Sequence, residues 1–152
     1  MPERIIISDT SSLIALTNIG ELEILKGVYE EVVITPEIAE EYGLETPDWI
    51  RIEQVNDKQK FKLLNLELDE GESSGIALAL ENESSLLKKE KKKGRGIAKK
   101  LGIRITGILG VMIRAKETGV VEKIKPLVDK LEKVDFRMSA RLKSQILESV
   151  GE

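Results

Sequence analysis

The chain has no cysteine and no histidine, and aromatic residues make up only 3% of it. These absences exclude disulfides, thiolate chemistry, imidazole acid–base catalysis, Ser-His-Asp triads and the usual zinc sites. No apolar run approaches the ~20 residues of a membrane span. The N-terminus also lacks a charged region followed by a long apolar one, so a cytoplasmic protein without membrane contact is expected. Chemistry in this chain must run on carboxylates, hydroxyls, Lys and Arg, or on a hard cation held by oxygen. A length of 152 residues fits one domain, residues 1–152, and 41% hydrophobic content is enough to fill its core.

The formal net charge of −3 hides an asymmetry. Residues 1–87 carry 6 basic and 19 acidic side chains, whereas residues 88–104 carry 9 basic and 1 acidic. Within this basic island, Lys88, Lys89, Lys91, Lys92, Lys93 and Arg95 surround the single acid Glu90. Such a block attracts a polyanion and neutralises phosphates, with Lys91, Lys92, Lys93 and Arg95 as candidates for an RNA backbone. It equally suits a solvated loop, since 34% charged residues rich in Lys and Glu is also a thermophile-like composition. The island has no aromatics, which argues against base stacking there.

Strand and helix patterns alternate along the chain without repeat or linker. Strands are expected at Ile5–Ser8, Glu31–Ile34, Trp49–Val55, Ser85–Leu87 and Ile103–Thr106. Helices are expected at Ser11–Thr17, Glu21–Lys26, Pro36–Tyr42, Lys58–Leu66, Gly71–Asn82, Ile97–Leu101, Ile108–Glu117, Val121–Lys133 and Ser139–Val150. In the Gly71 helix, Ile76, Ala77, Ala79 and Leu80 read as an apolar face. Strands followed by helices imply an α/β fold whose parallel sheet is covered on both faces.

The run Ile5-Ile6-Ile7-Ser8-Asp9-Thr10-Ser11-Ser12 carries the strongest local signal: a buried strand ends in an acid and hydroxyls, then turns helical. In open α/β sheets ligands bind at that edge, so Asp9 is either a helix cap or a site residue. Further acids fall where parallel strands would bring them together: Glu40 and Glu41, then Asp69, Glu70 and Glu72, then Glu90. Carboxylates gathered within a few ångströms repel unless a cation such as Mg²⁺ or Mn²⁺ neutralises them. Asp69 and Glu72 also have capping-box spacing, and Glu37, Glu40 and Glu41 also suit a solvated helix face.

Three segments in order, Ser8 to Leu16, Ile34 to Glu41 and Leu68 to Ala79, resemble PIN-domain proteins of the VapC-like kind. The later Gly94-Arg95-Gly96-Ile97-Ala98-Lys99-Lys100-Leu101-Gly102 and Thr106-Gly107-Ile108-Leu109-Gly110 resemble the archaeal branch of that family. So does the ending from Phe136 to Glu152. The resemblance implies a three-layer sandwich around a central parallel sheet, a homodimer, and a Mg²⁺- or Mn²⁺-dependent ribonuclease. It often implies the toxin of a toxin–antitoxin pair. Position by position it places Asp9, Glu41 and Glu72 as metal-binding acids, with Thr10 or Ser11 orienting a water. The pattern breaks at the fourth acid: where the family has aspartates, this chain reads Leu86-Leu87-Lys88-Lys89-Glu90-Lys91, leaving Glu90 as the candidate.

Two other classes remain open beside the nuclease. One is a catalytically weakened PIN-like module that binds RNA or a protein partner. The other is a phosphate-handling or receiver-like α/β domain. The last wants paired acids after the first strand or a Gly-rich phosphate loop. This chain offers the single Asp9, and the spacing of Gly107 and Gly110 is that of a tight turn and a close contact.

Overall fold

The computed structural model describes residues 5–82, 86–88, 92–103, 105–134 and 136–152, and of Leu86, Lys88 and Lys92 only the backbone. The strands β1 (Ile5–Ser8), β2 (Glu31–Ile34), β3 (Ile50–Ile52), β4 (Leu86–Lys88) and β5 (Ile105–Thr106) form one sheet in the order β3-β2-β1-β4-β5. Every neighbouring pair is parallel; Ile6 lies opposite Val32 and Leu86, Val32 opposite Ile50, and Lys88 opposite Thr106.

Alternation along β1 and β2 divides the core in two, because successive side chains leave a strand on opposite faces. Ile6, Val32 and Ile34 join the first cluster, while Ile7 and Val33 join the second with Leu87. Helices α1 (Thr10–Asn18), α2 (Ile24–Val28), α7 (Ile108–Glu117) and α8 (Lys125–Lys133) cover the first face with Leu13, Leu16, Leu25, Met112 and Leu131. Ile38 and Tyr42 of α3 (Pro36–Tyr42) join the same cluster. Helix α9 (Ala140–Ser149) packs Ile146 and Leu147 against its margin without burying a residue completely. The second face is covered by α4 (Lys58–Leu64), α5 (Glu70–Glu81) and α6 (Lys92–Lys100), with Ile76, Leu78 and Ala98 at its centre. The result is the expected three-layer α/β sandwich with a central parallel sheet.

Side-chain caps start the helices where the sequence places acids and hydroxyls. Asp9, Thr35, Asp57, Asp69 and Ser139 each accept the backbone N–H of the third residue beyond them. Several boundaries depart from expectation. Helix α6 begins at Lys92 rather than Ile97, because Gly94 and Ala98, four residues apart, are both buried on one side and packing outweighs glycine's poor propensity. Helix α5 has no single apolar stripe: Gly71 and every residue from Ser73 to Ala79 are buried, and Leu80 is only half-buried. Helix α8 starts at Lys125, where Pro126 occupies the first turn, rather than at Val121. The third strand keeps only Ile50–Ile52, since Val55 has already crossed to the second core cluster. The second helix is shifted to Ile24–Val28, where Ile24 and Leu25 reach the core. Ser85 and Arg104, expected in strands, lie outside the described residues.

Candidate active site

The strand order places the site. From β1 the chain moves outward through β2 to β3, then returns to the other side of β1 for β4 and β5. The order therefore reverses between β1 and β4, and connections leaving their carboxyl ends diverge to open a crevice. Ser8 and Lys88, the last residues of these strands, face each other in register.

Asp9 follows at once. Its side chain is 6% exposed, and its Oδ1 accepts the Ser12 N–H at 3.1 Å, so the carboxylate is fixed as the cap of α1. The cap thus holds the Asp9 carboxylate at the positive end of α1, beside the crevice. Ser8 is fully buried and donates its hydroxyl to the Asp9 carbonyl at 3.1 Å. Ser12 is also fully buried, and its Oγ has no hydrogen-bond partner among the described residues.

One residue beyond Asp9, the Thr10 hydroxyl donates to Glu41 Oε1 at 3.0 Å. Glu41 lies in the last turn of α3, on the exposed side of that helix, and its carboxylate rests against the α-carbon of Gly71. Gly71 belongs to the first turn of α5, which Asp69 caps by accepting the Glu72 N–H at 2.8 Å. Asp9, Thr10, Glu41, Gly71 and Glu72 therefore form one continuous path from β1 across α3 to α5. Asp69 serves as a cap, and the half-buried Glu72 follows the glycine.

Ser11 is exposed on α1. Glu90 and Lys91 lie outside the described residues, as does the side chain of Lys92. Lys93 and Lys100, seven residues apart and on one side of α6, line a groove of about 610 Å³ with Gly96, Ile97 and Glu67, while Arg95 is half-buried on the same helix. On β5, the Thr106 hydroxyl lies against Gly110 in the first turn of α7, so the close contact of that glycine is with a strand side chain.

Two features of this edge were missed by the sequence reading. The Thr35 and Ser74 hydroxyls, both fully buried, meet at 2.6 Å and tie the start of α3 to α5. The seat of Glu41 on Gly71 joins residues 30 positions apart; a glycine early in a helix beside two acids was its only visible trace.

A family model described as a PIN domain matches residues 5–152, and the chain belongs to the PIN-domain family. Membership points to a nuclease-type function in general; PIN domains commonly bind RNA and generally depend on a divalent metal. No curated protein and no solved structure matches the chain. Among the described residues no helix is long and apolar enough to cross a membrane.

The residues at the edge suit a hard divalent cation in kind. Asp9, Thr10 and Glu41 offer only oxygen, the donor that Mg²⁺ and Mn²⁺ prefer. Among the described residues, no group of three or more acids stands where it could hold a metal ion.

Proposed function

We propose that this PIN domain is a Mg²⁺- or Mn²⁺-dependent endoribonuclease that hydrolyses RNA phosphodiester bonds, acting as the toxin of a toxin–antitoxin pair and as a homodimer. The observation that carries the proposal is the Thr10–Glu41 hydrogen bond beside Asp9 at the strand-order reversal. It sets Glu41 against the residue that follows Asp9, at the kind of edge where open α/β sheets bind ligands, and so supports joint use of the two acids.

In this reading Asp9 and Glu41 hold the cation, with Glu72 and Glu90 completing the acidic set. When bound, the ion activates water for attack on phosphorus and offsets the charge that develops. The chain's own residues set the geometry. Asp9 is oriented by the Ser12 N–H, and Glu41 by the Thr10 hydroxyl. Ser11 is a further hydroxyl for water at the same turn. Lys91, Lys92, Lys93 and Arg95 track the phosphate backbone and keep an anion beside an acidic edge. Hydrolysis adds water across one P–O bond, so no side-chain nucleophile is required, in keeping with a chain without Cys or His.

A second reading, a catalytically weakened module that binds RNA or a protein, draws on the lysine run around Glu90, which falls where the resemblance would place a fourth acid. Incubating labelled single-stranded RNA with the protein, with and without Mn²⁺, separates the two. Internal cleavage that stops on chelation and is lost in Asp9→Asn supports the nuclease. Binding without cleavage at millimolar Mn²⁺ supports the module and overturns the proposal.

A further inference from the structure

Gly71 occupies the first turn of α5, is buried, and is not among the positive-φ glycines Gly20, Gly43, Gly102, Gly119 and Gly151. Its backbone is therefore one that any residue adopts, and as a helical position it favours alanine. What glycine supplies is space for the Glu41 carboxylate. A Cβ at Gly71 would overlap Glu41 Oε1 and come within 2.7 Å of Glu41 Cδ and 3.3 Å of Oε2. Gly75, one turn later, is different: a Cβ there would meet Ile38 Cδ1 at 3.5 Å and Leu87 Cδ1 at 3.8 Å, which is ordinary packing.

From these observations we infer that Gly71 is a positioning residue, a seat that fixes the carboxylate of Glu41 at the site. An exposed glutamate on a helix samples several rotamers and loses entropy when held in one. Here Thr10 holds the carboxylate from one side and the bare α-carbon of Gly71 receives it on the other. The distance between the two helices is itself pinned by a directed chain of hydrogen bonds. Thr35 Oγ1 accepts the Ile38 N–H and donates to Ser74 Oγ, which donates to the Gly71 carbonyl. The chain starts at the helix that carries Glu41 and ends on the glycine that seats it. Thr35 and Ser74 thereby share the positioning role, and neither touches the carboxylate. This inference uses the proposed site only in expecting that a displaced Glu41 weakens metal binding.

The test compares wild type, Gly71→Ala, the control Gly75→Ala, and Gly71→Ala combined with Glu41→Asp. Each is read by crystallography, thermal melting and calorimetric titration with Mn²⁺. Gly71→Ala should break the Thr10–Glu41 hydrogen bond and weaken Mn²⁺ binding at least tenfold while Gly75→Ala does neither. Glu41→Asp in the Gly71→Ala background should recover at least threefold of that affinity, because the shorter side chain stops short of the new methyl group. A Glu41 carboxylate still bonded to Thr10 in Gly71→Ala, or a double variant no better than the single one, overturns the inference. Should the wild type take up no Mn²⁺, the metal reading falls and the seat is decided by the crystal structures alone. The bond lost in Gly71→Ala and kept in Gly75→Ala then supports the seat, and the bond kept in both overturns it. If Gly71→Ala does not fold, Gly71→Ala with Glu41→Ala should fold, since the collision is gone; failure of both also overturns it.

Discussion

Asp9 combines two roles that one pair of substitutions separates. As the cap of α1 it accepts the Ser12 N–H at 3.1 Å, and as a 6%-exposed acid at the strand-order reversal it is the first metal ligand of the proposed site. Asparagine caps helices about as well as aspartate, whereas alanine loses about 1 kcal/mol. For a domain of this size that loss lowers the melting midpoint by roughly 2–4 °C. Measured in EDTA, Asp9→Ala should therefore melt a few degrees below wild type and Asp9→Asn close to it. Cleavage of single-stranded RNA in Mn²⁺ should respond differently. Both variants should lose at least about 100-fold, the scale of removing one preorganised electrostatic contact. Asp9→Asn that cleaves like wild type would refute the ligand role. Asp9→Asn that melts as low as Asp9→Ala would refute the separation of cap from charge.

Mn²⁺ at a hundredfold excess over its Kd should stabilise the wild type by about 2.7 kcal/mol in thermal melts, and the Asp9→Asn, Glu72→Gln pair should show no such shift. Glu90→Gln should abolish RNA cleavage and leave RNA binding intact, while replacing Lys91, Lys92 and Lys93 by Ala should flatten the salt dependence of binding by about 0.7 per lost single-strand phosphate contact; salt-independent wild-type binding would remove the island from the RNA path. Glu152 makes a pH-dependent clamp: its carboxylate accepts Lys116 Nζ at 2.8 Å and the N–H groups of Ile124 and Lys125 at 2.9 Å, which hold its pKa at about 2 against an ordinary value of 4.5. A lowered folded-state pKa gives stability that is present above 4.5 and fades as pH falls toward 2, so Glu152→Gln should lower the melting midpoint at pH 7 and converge with wild type near pH 2.

Much of the scaffold was legible because local chemistry and packing agree. β1 and β2 are β-branched runs at the sheet centre, and Thr35 with Pro36 and Asp69 cap where such residues favour a helix start. Elements failed to match where tertiary burial overrides propensity. The two glycines of α6 lower its helix propensity, yet the buried Gly94 and Ala98 carry it back to Lys92. The edge strand β3, with Ile52 48% exposed, ends before the alternating pattern does. At the site, Asp9 was legible as the acid that ends a buried strand. The parallel-strand reading already drew Glu40 and Glu41 toward this edge and the resemblance singled out Glu41, but its bond to Thr10 was not legible, because nothing local couples residues 31 positions apart. The Gly71 seat and the Thr35–Ser74 bond arise only when α3 docks on α5, and sequence periodicity carries no record of such docking.

The central claim, that Asp9 and Glu41 jointly bind a divalent cation at the carboxyl edge of the sheet, is tested most directly by anomalous diffraction from crystals grown with Mn²⁺. The expected result is a manganese peak within about 2.5 Å of oxygens from both Asp9 and Glu41, absent in Asp9→Asn crystals. A well-ordered site with the Thr10–Glu41 hydrogen bond intact and no manganese beside either acid at millimolar Mn²⁺ would contradict it.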